Sequence, residues 1–218
     1  MIDIFDTAMV MTLKSAFRDW VVVVDDGHGW KTAGKRSTDG SLRENEFNSS
    51  VEDKLTLFLD ACGIEYYSLA SGWEDENLIK RSTLERNIYN DAKARSKKTI
   101  GVSIHADAFD DPAAHGFGVY YYGRGSKIKK DGKKLSRHIA DAIIDSDLKN
   151  GHVVRPRHDN GISSANFHML RETKGIWVLL ENAFMTNESD LAYLKRDDFR
   201  NHRALAILEG LYKYTILR

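Results

Sequence analysis

The sequence predicts an α/β fold: a three-layer sandwich in which a mostly parallel, twisted sheet carries helices on both faces. Three observations point there. The run Val21 to Val24 offers no polar face, as a strand buried from both sides requires. Strand-like stretches alternate with helical periodicity along the chain, the pattern of parallel strands joined by helical crossovers. The 218 residues suit one such domain and supply enough chain for a substantial core.

Residues 1–19 read as an N-terminal extension of a single domain spanning 1–218. Asp3 and Asp6 precede an apolar run of only Ala8 to Leu13. A secretory signal needs a basic start and a longer apolar stretch, so none is expected, and no run approaches transmembrane length. After the valine strand, Gly27, Gly29, Gly34 and Ser37 to Ser41 mark a long loop of the kind that usually carries function. Ser41 then reads as the N-cap of a helix with Glu44 in capping-box spacing, and Phe47, Val51, Leu55, Phe58 and Leu59 mark its inner face. Gly63 ends that helix and Ile64 to Leu69 reads as the second strand.

Glu76 to Ala94 carries Leu78, Ile79, Leu84 and Ile88 among polar residues, as expected of a helix with a charged outer face. Thr99 to Ile104 and Gly118 to Tyr122 read as strands, and about Lys134 to Leu148 as a helix. A basic loop, His152 to His158, follows. Short strands are expected at Phe167 to Leu170 and Ile176 to Leu180, then a closing helical region from about Ser189 to Tyr214. No repeat, low-complexity segment or long linker divides the chain.

Thirty-two basic and 32 acidic side chains cancel, which argues against a nucleic-acid partner. The single cysteine, Cys62, excludes an intramolecular disulfide and a cysteine-based zinc site, and it reads as a buried apolar residue.

The chemistry gathers at strand ends. His28 follows the valine strand, His105 follows Val102-Ser103-Ile104, Glu181 follows Ile176 to Leu180, and Glu44 opens a helix. Ligands of an open α/β sheet collect at the carboxyl ends of its strands, so residues distant in sequence converge there. Two imidazoles, His28 and His105, and one carboxylate form the ligand set of a catalytic zinc site with a fourth position open, and the extra glutamate is then available as a base. The bland readings are a hydrogen-bonded histidine, a glutamate that stabilises a helix start, and a carboxylate paired with Arg171. Asp25 or Asp26 is placed to orient an imidazole through its second nitrogen. His-Glu-x-x-His and Gly-x-Ser-x-Gly are both missing from the sequence, which removes thermolysin-like proteases and serine hydrolases of the elbow type.

These stretches resemble the zinc-dependent N-acetylmuramoyl-L-alanine amidases (amidase type 3) of bacterial cell-wall remodelling and phage endolysins. The resemblance rests on Asp25-Asp26-Gly27-His28-Gly29, Glu44 with Asn48, Ser103-Ile104-His105-Ala106-Asp107, Met169-Leu170-Arg171 and Glu181-Asn182-Ala183-Phe184-Met185-Thr186-Asn187, over roughly residues 20 to 215. Trp30, Asp107 and Ala183 depart from the family pattern, at positions that bear on substrate fit. The resemblance implies one Zn²⁺, peptidoglycan as the partner, and hydrolysis of the bond between N-acetylmuramic acid and L-alanine. It also implies His28, Glu44 and His105 as the zinc ligands, with the spacing to Asn48 choosing Glu44 over Glu46, Glu181 as the base, and substrate-facing roles for Arg171, Asn187 and His168. His115 is a further spare imidazole. Arg155, Arg157 and His158 form either a solvated loop or a contact for peptide carboxylates. With no secretory signal expected, synthesis in the cytoplasm and action at the wall fit a phage endolysin, and a cellular amidase whose signal has been removed also fits. A zinc peptidase cutting within the stem peptide and a wall-binding protein without turnover remain the alternatives.

Overall fold

A computed structural model describes residues 6–69, 73–125 and 127–217. The first residues of the N-terminal reading, 1–5, lie outside these. The sheet has six strands: β1 (Trp20–Asp26), β2 (Tyr66–Ser68), β3 (Lys98–Asp107), β4 (Gly118–Tyr121), β5 (Ile162–Ser164) and β6 (Ile176–Phe184). Their spatial order is β2-β1-β3-β6-β4-β5. Every neighbouring pair is parallel except β4 with β6. The helices are α1 (Thr7–Ala16), α2 (Glu44–Ala61), α3 (Leu78–Ala94), α4 (Lys127–Asn150), α5 (His168–Glu172), α6 (Glu188–Leu194) and α7 (Asp197–Leu217).

Alternation along the strands divides the interior into two layers. Val22, Val24, Ile100, Val102, Ile104, Val178 and Leu180 join the larger cluster with α2, α4 and α7. Val21, Val23, Trp177 and Leu179 join the smaller one with Ile88 and Ala92 of α3 and Met169 and Leu170 of α5. All four valines of β1 are fully buried, each worth about 1.5–3 kcal/mol relative to exposure. This two-sided burial is why the sequence shows a solid valine run where a half-exposed strand would alternate.

The structure corrects several expected elements. Within the N-terminal stretch, α1 lies against α7, and Leu13 and Phe17 enter the larger cluster. The expected strand at Phe167 to Leu170 is helix α5. This turn of helix lies on the face of the sheet and buries Met169 and Leu170 together with Val21, Val23, Trp177 and Leu179. Ser41 does not cap α2. The capping position is Arg43, and the Ser41 hydroxyl donates to the Asp39 carboxylate, a local bond that competes with capping. Helix α4 begins earlier than expected and runs through Gly132. A Cβ there would lie 3.0 Å from the Trp177 carbonyl oxygen, so this glycine permits close approach of helix and sheet. The closing helical region is two helices, α6 and α7. Among the described residues no helix is long and apolar enough to cross a membrane.

Candidate metal centre and active site

His28, Glu44, His105 and Glu181 meet at the carboxyl edge of the sheet, where β1, β3 and β6 lie side by side. His105 and Glu181 are register partners on adjacent strands, so their side chains leave the same face. His28 sits in the loop after β1, with φ of 63°, a left-handed conformation that costs energy for a non-glycine residue. That loop is clamped. Asn45 and Arg81 donate to the His28 carbonyl, Asn48 donates to the Gly27 carbonyl at 2.9 Å, and the Gly27 amide donates to Ile104. Gly27 must be glycine, because a Cβ there would fall 2.1 Å from Cε1 of His105.

Glu44 is the first residue of α2 and reaches from the helix N-terminus, a place that favours a carboxylate. Its Oε1 lies 2.9 Å from Nδ1 of His105, and its Oε2 lies 3.5 Å from Nε2 of His28. One donor atom from each of His28, Glu44 and His105 falls within 4.8 Å of the other two. Two imidazoles and one carboxylate converging on a point, with a glycine making room, fit a zinc ion that keeps an open position.

Burial opposes ionisation of Glu44, but the hydrogen bond with His105 and the two imidazoles outweigh it, so Glu44 is held below the usual carboxylate range. Burial also opposes charge on His105. The hydrogen bond with Glu44 and the nearby Glu181 carboxylate win there, and His105 is pushed up to about 9. Burial lowers His28 to about 4, which keeps it neutral and able to donate a lone pair. Glu181 is pushed up to about 8, first by burial, against the pull of His105. Its Oε2 is buried and has no hydrogen-bond partner among the described residues. Among the described residues Arg171 pairs with Glu172 and Asn166 rather than with Glu181.

The cleft above these groups holds about 390 Å³ and is also lined by Lys35, Arg81, Asp107, Phe167, His168 and Leu179. His168 faces it with Nε2 3.1 Å from the Ser82 hydroxyl. Arg171 and Asn187 do not line it. Arg171 donates to Glu172 and Asn166, while Asn187 caps α6 by accepting from the Asp190 amide and donates to the Pro112 carbonyl. His115 is exposed and bonds the Ala113 carbonyl. Of the basic loop, Arg157 turns inward. It lies 2.9 Å from Asp107 and over the Phe184 ring, beside Glu181.

Asp25 and Asp26 do not orient an imidazole, contrary to expectation. Asp25 accepts from Arg81 at 2.7 Å and from the Ser103 hydroxyl, which itself accepts from the Trp177 indole. Asp26 points to the other face of β1, where Ser49 and Asn45 donate to it. Arg81 is therefore a positioning residue that sequence reading missed. It is fully buried on α3 and links Asp25, the Asp26 carbonyl and the His28 carbonyl. Its signal was an arginine four and seven residues before Glu85 and Ile88, on the buried stripe of the helix.

Behind the loop, Glu52 is pushed up to about 8 by burial and then by the charge of Asp26. Its folded value lies above its ordinary 4.5, so the folded chain holds a proton that the unfolded chain releases. The resulting stability is complete below about pH 4.5 and is lost as pH rises through about 8. Glu52→Gln is expected to flatten this loss, so that the melting temperature falls less between pH 5 and 8 than in the unsubstituted protein. Parallel melting curves of the two proteins over that range would refute the assignment.

An open α/β sheet with a candidate metal centre at its carboxyl edge is the class this arrangement defines. The profile of the N-acetylmuramoyl-L-alanine amidase family matches residues 22–213, and the chain belongs to that family. It is 24% identical over 217 residues to the N-acetylmuramoyl-L-alanine amidase LytC of Bacillus subtilis, covering 95% of this chain but 38% of LytC. It is 27% identical to the endolysin of Bacillus phage SPP1, covering 91% of this chain and 67% of the endolysin. The catalytic domain of CwlV, an amidase from Bacillus (Paenibacillus) polymyxa var. colistinus, superposes with a TM-score of 0.73 at 26% identity, over 91% of this chain and 99% of that one.

Proposed function

We propose that this chain is a zinc-dependent hydrolase of peptidoglycan that cleaves the amide between N-acetylmuramic acid and L-alanine. The observation that carries the reading is the convergence of His28, Glu44 and His105 donor atoms beside Glu181, whose buried Oε2 has no partner among the described residues. Family membership and the likeness to amidases over nearly the whole catalytic fold support the choice of bond.

His28, Glu44 and His105 would hold the ion. When bound, zinc supplies Lewis acidity that polarises the scissile carbonyl and makes water a stronger acid near neutral pH. Glu181 takes the proton of the attacking water and returns it to the departing L-alanine nitrogen. Its elevated pKa of about 8 suits the second of these tasks, and a neighbouring cation favours the ionised form needed for the first. Phe167, His168 and Leu179 wall the cleft and exclude water from one side of the substrate. Arg157 lies behind the cleft lining and pairs with Asp107, holding that carboxylate at the wall of the cleft. The likeness to a phage endolysin supports release to the wall at host lysis as the setting for this activity.

Purified peptidoglycan treated with the protein should yield intact stem peptides whose new amino terminus is L-alanine. New amino termini at diaminopimelate or D-alanine would place the cut inside the stem peptide, and binding without release would make the chain a wall-binding protein.

A further inference from the structure

Apart from the cleft, a second group of metal-type donors lies where the end of α4 meets the start of α7. His152, in the loop that follows α4, is buried, and its Nδ1 lies 3.3 Å from Oδ1 of Asp147. Asp147 is in turn gripped by both terminal nitrogens of the fully buried Arg203, at 2.8 and 2.9 Å. A carboxylate fixed in this way accepts the proton of Nδ1, so the lone pair resides on Nε2. That Nε2 is buried and has no hydrogen-bond partner among the described residues, and the same is true of Nδ1 of His202. The two rings stand 5.2 Å apart, and Tyr193 and Phe199 pack against His152. Asp198 is one turn before His202 on the same face of α7. One nitrogen from each imidazole and one oxygen of Asp198 lie within 4.8 Å of one another.

Buried imidazole nitrogens without partners are uncommon and costly, and two of them beside a carboxylate are satisfied together by a cation. We propose that His152, His202 and Asp198 form a second divalent-metal site, with zinc as its ligand, that clamps the end of α4 to α7. Imidazole and carboxylate donors select zinc over calcium or magnesium, and three of them leave one position for water. Asp147 behind His152 supplies the outer carboxylate that commonly orients a ligating histidine. Arg196 also pairs with Asp198, yet a carboxylate's two oxygens retain lone pairs for a second partner.

The site is independent of the hydrolytic reading and is tested with the cleft ligands removed. Chelator-stripped full-length protein is titrated with Zn²⁺ against a chromophoric competitor. The unsubstituted protein should bind two equivalents, His28→Ala/His105→Ala one, and the same variant with His202→Ala none. Zinc should raise the melting temperature of the double variant by several degrees and leave the triple variant unmoved. Replacing buried His152 risks unfolding, so His202→Ala and the exposed Asp198→Asn carry the test, with folding checked by circular dichroism. The His202→Ala single variant should retain one equivalent and its hydrolytic activity. A folded double variant that binds no zinc, or one whose zinc survives His202→Ala, overturns the proposal. One equivalent in the unsubstituted protein that His202→Ala abolishes would uphold this site and defeat the assignment of the cleft.

Discussion

Glu181→Gln is expected to give a folded protein that retains the zinc of the cleft and loses hydrolysis by about 10²- to 10⁴-fold, the usual contribution of a positioned proton-transfer group. The substitution keeps the shape of the side chain and removes its basicity. Glu181 is a register partner of His105, and no described hydrogen bond holds its Oε2, so the fold loses no bond there when the oxygen becomes an amide nitrogen. Zinc content and peptide release are measured on the same preparation. An active variant, or one inactive because its zinc has gone, would remove Glu181 from the role of base.

His28→Ala is expected to abolish both zinc binding in the cleft and hydrolysis, a larger loss than at Glu181 because the Lewis acid departs with the ligand. His28 is the cleaner of the two histidines to remove. Its side chain is 21% exposed and stands 3.5 Å from Glu44, whereas His105 makes the 2.9 Å bond that compensates the buried Glu44 carboxylate. His105→Ala should therefore lose the same zinc equivalent and also lower the melting temperature, since a buried charge is left without its partner. Glu44→Gln should weaken zinc binding, a neutral amide being the poorer ligand. Undiminished cleft zinc in both histidine variants would defeat the ligand assignment.

The centre of the sheet was legible because its strands are buried on both sides. Val21 to Val24 and Ile176 to Leu180 form continuous apolar runs, and the polar residue ending each run falls at the sheet's edge. That geometry made His28, His105 and Glu181 readable as a group, and Glu44 was readable from its place at a helix start. Elements whose identity depends on neighbours were not readable. Met169 and Leu170 fit a strand or a turn of helix equally well, and what decides is their packing with Val21, Val23, Trp177 and Leu179 on the face of the sheet. The support of the site was hidden for a related reason. Arg81 reaches Asp25 across 56 residues of sequence, and nothing local separates a buried arginine from a solvated one. Arg157 was lost in a basic loop until its pairing with Asp107 turned it toward Glu181. Arg171 and Asn187, whose substrate roles came from resemblance, have local partners and lie outside the cleft lining.

Anomalous diffraction from a zinc-loaded crystal, recorded on both sides of the zinc absorption edge, tests the metal centre most directly. The expected result is a peak enclosed by His28, Glu44 and His105, at zinc-to-nitrogen and zinc-to-oxygen distances of about 2.0–2.2 Å, with Glu181 beside the ion and outside its protein ligands. An active protein whose crystals show no peak among those three side chains, or show Glu181 in place of one of them, would contradict the account.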